Sequence, residues 1–174
     1  DVVNNAGDSI FYILNNLADD TRAMGRATVI SFDVKSRFVH FEFFRLLKDH
    51  EGLGRKGELI GLEVNMRPSG GISPDMMNFS QSTDVYKIWA DMIAYDSSLR
   101  GIGQTAFCAF AGRRDGKNFV MSDEDIMHKY GANMKMSGRV ADALSGAMGN
   151  QMYIANFNTK EEMDAFYNDV LACR

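Results

Sequence analysis

The sequence predicts an α+β fold in which an antiparallel sheet is covered by helices. Three observations lead there. Phe38–Leu46 and Leu59–Asn65 are apolar and aromatic runs of strand length joined by a polar loop containing glycines. Val85, Ile88, Trp89, Met92 and Ile93 fall at i, i+3, i+4, i+7 and i+8, the stripe of an amphipathic helix. The chain beyond Gly101 mixes further helical stripes with short strand-like runs, so it too reads as ordered structure.

In order, the spacing of Ile10, Ile13, Leu14 and Leu17 suits a helix, while Phe11-Tyr12-Ile13 equally suits a short strand. Asp19 and Asp20 suit the first turn of a helix reaching about Ser31, where carboxylates oppose the positive end of the dipole. In the strand Phe38–Leu46, His40, Glu42 and Phe44 share one face and Phe41, Phe43 and Arg45 the other. Lys48–Gly57, with Gly52, Gly54 and Gly57, is a flexible hairpin connection, and Leu59–Asn65 returns with Glu63 and Asn65 on one face, Leu62 and Val64 on the other. Pro68 stops that strand, and Ser69-Gly70-Gly71 lets backbone approach a ligand or a neighbouring element.

A helical turn is expected at Pro74–Phe79, with Asp75 as a cap, and then a core-facing helix capped by Ser82 or Thr83, with Trp89 as its anchor. Gly101-Ile102-Gly103 marks an internal boundary. Thr105–Ala111 and Asn118–Met121 read as a hairpin around Asp115-Gly116. Ser122 with Asp125 forms a capping box for a helix carrying Ile126, Met127 and Tyr130 and stopped by Gly131. Strands are expected at Met134–Val140 and Met152–Phe157. Thr159 with Glu162 opens a last helix that buries Met163, Phe166, Tyr167, Val170 and Leu171.

Composition narrows the function. A chain of 174 residues, 45% hydrophobic, can bury a sizeable core. Its net charge of −4, without a basic run, gives no footprint for nucleic acid or an anionic membrane. No apolar run approaches the roughly 20 residues of a membrane span, and the first residues lack a signal-peptide pattern, so the expected location is cytoplasmic. Cys108 and Cys173 are expected to be two reduced, buried thiols, the methionines to fill core gaps, and His50 and His128 to be solvated. Because the chain starts at Asp1 rather than Met, processing or, in preference, an excised piece of a longer protein is expected.

The chemistry concentrates between Phe38 and Gly71. Glu42, Glu63 and Asn65 are oxygen donors of the kind that hard divalent cations take, and they converge if the two strands pair. Arg67 extends the same face toward an anion. His40 stands beside Glu42 within reach of a substrate, although a hydrogen-bonded, half-buried histidine is its ordinary reading. Ser69, Gly70 and Gly71 can offer backbone amides to a substrate. Acidic residues on the wet face of a strand are common, but Glu63 and Asn65 gain nothing in a half-buried strand unless something pairs with them.

GLEVNMRPSGG resembles the metal-binding strand of the ATP-grasp superfamily, and FVHFEFF resembles the preceding strand with the other carboxylate. Their order and spacing are similar to those of biotin carboxylase and the carbamoyl phosphate synthetase large subunit. The resemblance spans roughly Ala18 to Tyr95. It implies Glu42 as first metal ligand, Glu63 as second and bridging, Asn65 as third, and Arg67 as the catalytic group that holds a phosphate or the carboxylate-derived substrate. It further implies ATP with Mg2+ or Mn2+, a small carboxylate that becomes an acylphosphate, and an amine or other nucleophile that captures it.

Residues 1–100 would then be the C-terminal part of an ATP-grasp catalytic lobe and 101–174 a small α+β extension. The family's phosphate-binding lysines and glycine-rich flap have no counterpart ahead of Glu42. The remaining N-terminal lobes are therefore expected elsewhere in the same protein, and this portion should be inactive alone. The alternative is a regulatory or interaction domain that keeps the fold without the reaction. A stand-alone metal-dependent hydrolase is disfavoured because no nucleophile or general base accompanies the acidic residues.

Overall fold

In the computed structural model, which describes residues 7–174, the chain begins with β1 (Ser9–Ile13), α1 (Asp19–Ser31), β2 (His40–Arg45) and β3 (Leu59–Asn65). It continues through α2 (Ser73–Gln81), α3 (Val85–Tyr95), β4 (Phe107–Arg113) and α4 (Asp123–Tyr130). It ends with β5 (Met134–Arg139), α5 (Asp142–Met148), β6 (Gln151–Phe157) and α6 (Lys160–Leu171). These elements form two units interleaved in sequence. One takes the described residues up to Asn15, then Asp75–Thr83 and Gly101–Arg174; the other takes Asn16–Pro74 and Asp84–Arg100. Gly101, the expected internal boundary, is where the chain re-enters the first unit.

The first unit holds a four-stranded antiparallel sheet in the order β1-β4-β6-β5. Residues 10–13 take the strand reading rather than the helical one, because β1 finds an aromatic partner: Phe11 lies opposite Phe110, with ring centroids 4.4 Å apart. On one face, Ala109 and Ala111 of β4 and Tyr153, Ala155 and Phe157 of β6 pack against buried residues of α4 and α6. Alanines on the central strand leave room for the aromatic side chains Phe166 and Tyr167 of α6.

Both expected capping boxes form: the hydroxyls of Ser122 and Thr159 accept from the amides of Asp125 and Glu162, whose carboxylates return the bond. Each cap stabilises its helix by about 1 kcal/mol. The phenols of Tyr130 and Tyr153 donate to Asp169 and Asp123, and burial together with those carboxylates pushes both above their ordinary range.

Several expectations are corrected here. Asn118–Met121 is not a strand, because β4 already has β1 and β6 on its two sides. The segment instead bonds to the C-terminal residues, Val120 N donating to Ala172 O and Arg174 N to Asn118 O. Gly131 ends α4 with a right-handed φ of −54°. What requires glycine there is space, since a Cβ would stand 2.5 Å from Met127 O. The α5 helix, without a side-chain cap, carried no sequence signal. Cys108 is buried, which pushes its thiol up to about 12, whereas Cys173 is exposed rather than buried.

The second unit pairs β2 with β3 and adds α1 and α3. Helix α3 is capped by Asp84, whose carboxylate accepts from Lys87 N at 3.0 Å, because Ser82 and Thr83 donate their hydroxyl protons to Gln104 O and Gly101 O. Its apolar stripe is not core: no α3 residue is fully buried, and Trp89 is 41% exposed. Helix α2 exceeds the expected single turn, and Asp75 sits in its first turn, where it favours the dipole.

Gly112 of β4 gives a direct test of the first unit's packing. A Cβ at this position would lie 1.9 Å from Met148 O, a backbone atom. Gly112→Ala is expected to cost about 1–3 kcal/mol in thermal or urea unfolding, as overpacking does. Gly146→Ala, where a Cβ meets nothing within 4 Å inside α5, should leave stability unchanged or raise it slightly.

Candidate metal and anion site

The β2–β3 ladder sets the geometry. His40 stands opposite Asn65, Phe41 opposite Val64 and Glu42 opposite Glu63; the register then shifts, so that Phe43 meets Gly61 and Arg45 meets Leu59. Leu62 is the extra residue of this β-bulge, next to the carboxylate pair, and bulges re-aim neighbouring side chains. Residues directly opposite in an antiparallel pair share a face. His40, Glu42, Glu63 and Asn65 are therefore gathered on one face, as the alternation predicts.

The connection between the strands is tied down rather than loose. Leu46 N donates to Glu58 O and Gly57 N to Leu46 O, while Asp49 and Glu58 accept from the amides of Lys56 and Arg55. On the other face, Arg45 fixes the hairpin to α1. Its guanidinium donates to both carboxylate oxygens of Asp20, at 2.7 and 3.0 Å, to Thr21 Oγ1 at 3.1 Å and to Gly57 O at 2.8 Å. The Arg45 hydrogen bond is the main reason the Asp20 carboxyl falls to about 2.

Within the site, His40 Nε2 lies 3.4 Å from Glu42 Oε1, and its Nδ1 is buried without a partner. Asn65 Nδ2 donates to Glu63 Oε1 at 2.6 Å, which orients the amide toward the carboxylate. Glu42 is 41% exposed and Glu63 is also exposed, so β3 is wetter than the half-buried strand expected. Like charges directly opposite one another destabilise a strand pair unless a cation lies between them. Glu42, Glu63 and the Asn65 amide oxygen are oxygen donors of the kind that magnesium or manganese takes. Among the described residues no group of three or more His, Cys, Asp or Glu side chains is arranged to hold a metal ion, His40, Glu42 and Glu63 included.

Arg67, two residues past Asn65, donates from Nη1 to Pro68 O at 2.9 Å. It lines a cavity of about 200 Å³ together with Arg37, Phe38, Trp89, Met92 and Ile93. Sequence reasoning missed Arg37 and read Trp89 as core; no periodicity marks an arginine in the segment leading into β2. Ser69 Oγ is buried without a partner, Gly71 takes φ +61°, and a Cβ on Gly70 would meet open space. Glycine is thus required by conformation at 71 and not by crowding at 70.

The Asp20 carboxylate makes the hairpin anchor sensitive to acid. Its folded pKa is depressed, so its contribution is present above the unfolded value of 3.8 and is lost as pH falls through about 2. The side-chain carboxyl resonance of Asp20 should titrate near 2, and in Arg45→Gln should return toward 3.8.

No family model matches this sequence, and no curated protein matches it. Among solved structures, it is similar to phosphoribosylglycinamide synthetase from Anaerococcus prevotii, an ATP-grasp ligase, with a TM-score of 0.56 and 12% identity over 92% of this chain. The match takes in 44% of that structure, so this chain spans less than half of its neighbour's length. Mixed α+β architecture, antiparallel sheets and this likeness agree: the chain shares its fold with a portion of that synthetase.

Proposed function

We propose that this chain is the C-terminal metal-binding portion of an ATP- and magnesium-dependent ligase, of the carboxylate–amine or carbamoyl-phosphate-synthetase-like kind. The observation that carries the reading is the register of β2 and β3, which opposes Glu42 to Glu63 and puts Asn65 on the same face, within a fold shared with an ATP-grasp ligase. Bound magnesium would neutralise the phosphates of ATP and so assist attack by a carboxylate on the γ-phosphate.

The chain's own residues perform the rest. Glu42 and Glu63 supply charge from two strands, and Asn65, held by its bond to Glu63, adds a neutral oxygen. Arg67 binds an anionic oxygen of phosphate or substrate. Ser69 and the glycines after it present the turn to the reacting groups. His40, beside Glu42, is a substrate-facing group of the same strand. The remaining lobes of the protein supply the adenine and flap contacts and the cover for apolar side chains such as Ile30, Leu47 and Ile93, which are 77%, 85% and 73% exposed. The extension is the unit in which residues 101–174 combine with β1 and most of α2, and the protein works in the cytoplasm on a small carboxylate and an amine or similar nucleophile.

Glu63→Gln in the full-length protein is expected to abolish magnesium-dependent ATP turnover, with circular dichroism unchanged because the side chain is exposed. Retained turnover would refute the assignment. The 174-residue chain by itself should show no tight Mg-ATP binding by calorimetry, and micromolar binding would sink the idea that other lobes are needed.

A further inference from the structure

A cavity lined by residues just before β2 and just after β3 carries two arginines and no acid. Arg37 and Arg67 line it, and none of its lining residues is Asp or Glu. Among the described residues Arg37 has no hydrogen-bonding or ion-pair partner, and Arg67 meets only the Pro68 carbonyl. Arg45, Arg100, Arg113 and Arg139 by contrast each pair with an acid, Asp20, Asp91, Asp123 and Asp115 in turn. Both arginines are exposed, and two cationic residues around one small space with no acid among its lining residues favour a bound anion. Ser36, on the rim, holds φ +46°, an uncommon conformation for a residue with a side chain, and it sets where Arg37 leaves the backbone.

The rest of the cavity is apolar. Phe38 and Trp89 face each other with ring centroids 6.1 Å apart, and Met66, Met92 and Ile93 complete the wall. A volume of about 200 Å³ is below the ~300–1,000 Å³ typical of drug-sized ligands, so a nucleotide does not fit. We infer that this cavity is the pocket for the acid substrate, a small carboxylate on an apolar or aromatic skeleton. Arg37 and Arg67 clamp the anion, and Phe38 and Trp89 select the skeleton. The inference rests on the ligase reading for its account of why an acid must sit next to the metal ligands.

Trp89 is the sole tryptophan of the chain, so its emission reports on this wall directly. The 174-residue protein would be titrated with 3-phenylpropanoate, with its uncharged amide, and with inorganic phosphate, in buffer free of magnesium and nucleotide. The expected result is a saturable change with the acid and none with the amide. Arg37→Gln and Arg67→Gln should each weaken the acid about tenfold, the loss of one charge-assisted hydrogen bond, and Arg37→Lys should recover part of it.

No saturable change with the acid, an equal response to the amide, or unchanged affinity in Arg37→Gln would each overturn the inference. Response to phosphate alone would overturn the apolar-acid assignment in favour of a simple anion pocket. Since no metal or ATP is present, failure here leaves the Glu63 experiment standing. Failure of that experiment leaves this binding measurable.

Discussion

Two carboxylates held directly across one strand pair are the constraint around which the second unit is arranged. Left to itself, such a pair repels, and a two-stranded ribbon has little else to hold it together. The ribbon is kept in register from outside the pair. The ladder continues past the strands through Leu46, Gly57 and Glu58, and Arg45 fastens the opposite face to Asp20 and Thr21 of α1. The bulge at Leu62 separates that anchored end from the acidic end. Repulsion at one end is thereby tolerated because the other end is bonded.

The first unit follows a different logic. Its sheet has both faces of β4 covered, and the buried Arg113 ties several elements together through Nε, Nη1 and its guanidinium face, while its Nη2 is buried without a partner. Arg113 Nε donates to Val170 O at 2.6 Å, Nη1 lies 3.4 Å from Asp123, and the guanidinium carbon stands 4.3 Å from the centre of the Phe119 ring. One side chain thus joins β4 to the end of α6, the start of α4 and the loop after β4. Stability in this unit comes from apolar burial around α6, whereas the second unit has exposed carboxylates and half-covered helices.

Much of this was legible in the residues. Both capping boxes, the stripe of α6 and the alternation of β2 and β3 are local signals, and each appears where the sequence puts it. What could not be read depends on distant partners. Residues 10–13 satisfy a helix and a strand alike until Phe110 arrives to stack on Phe11. Asn118–Met121 has strand-like composition but finds β4 already occupied on both sides. Ser82 and Thr83 are good caps whose hydroxyls are bound elsewhere, leaving Asp84 to cap α3. At the site, the facing carboxylates were visible in the spacing, whereas Arg37 and Trp89 meet in the cavity only through the fold.

The interleaving of the units has a consequence for how the chain must fold. Strand β1 pairs with β4 across almost the whole second unit, from Ser9 opposite Gly112 to Ile13 opposite Cys108. The hairpin of β2 and β3 is local by comparison and can close as soon as it is made. Non-local pairings wait on the entropy of closing long loops and form slowly. During synthesis β1 therefore stays without its partner until the β2–β3 ribbon has emerged, and the sheet that supplies most of the burial is completed last.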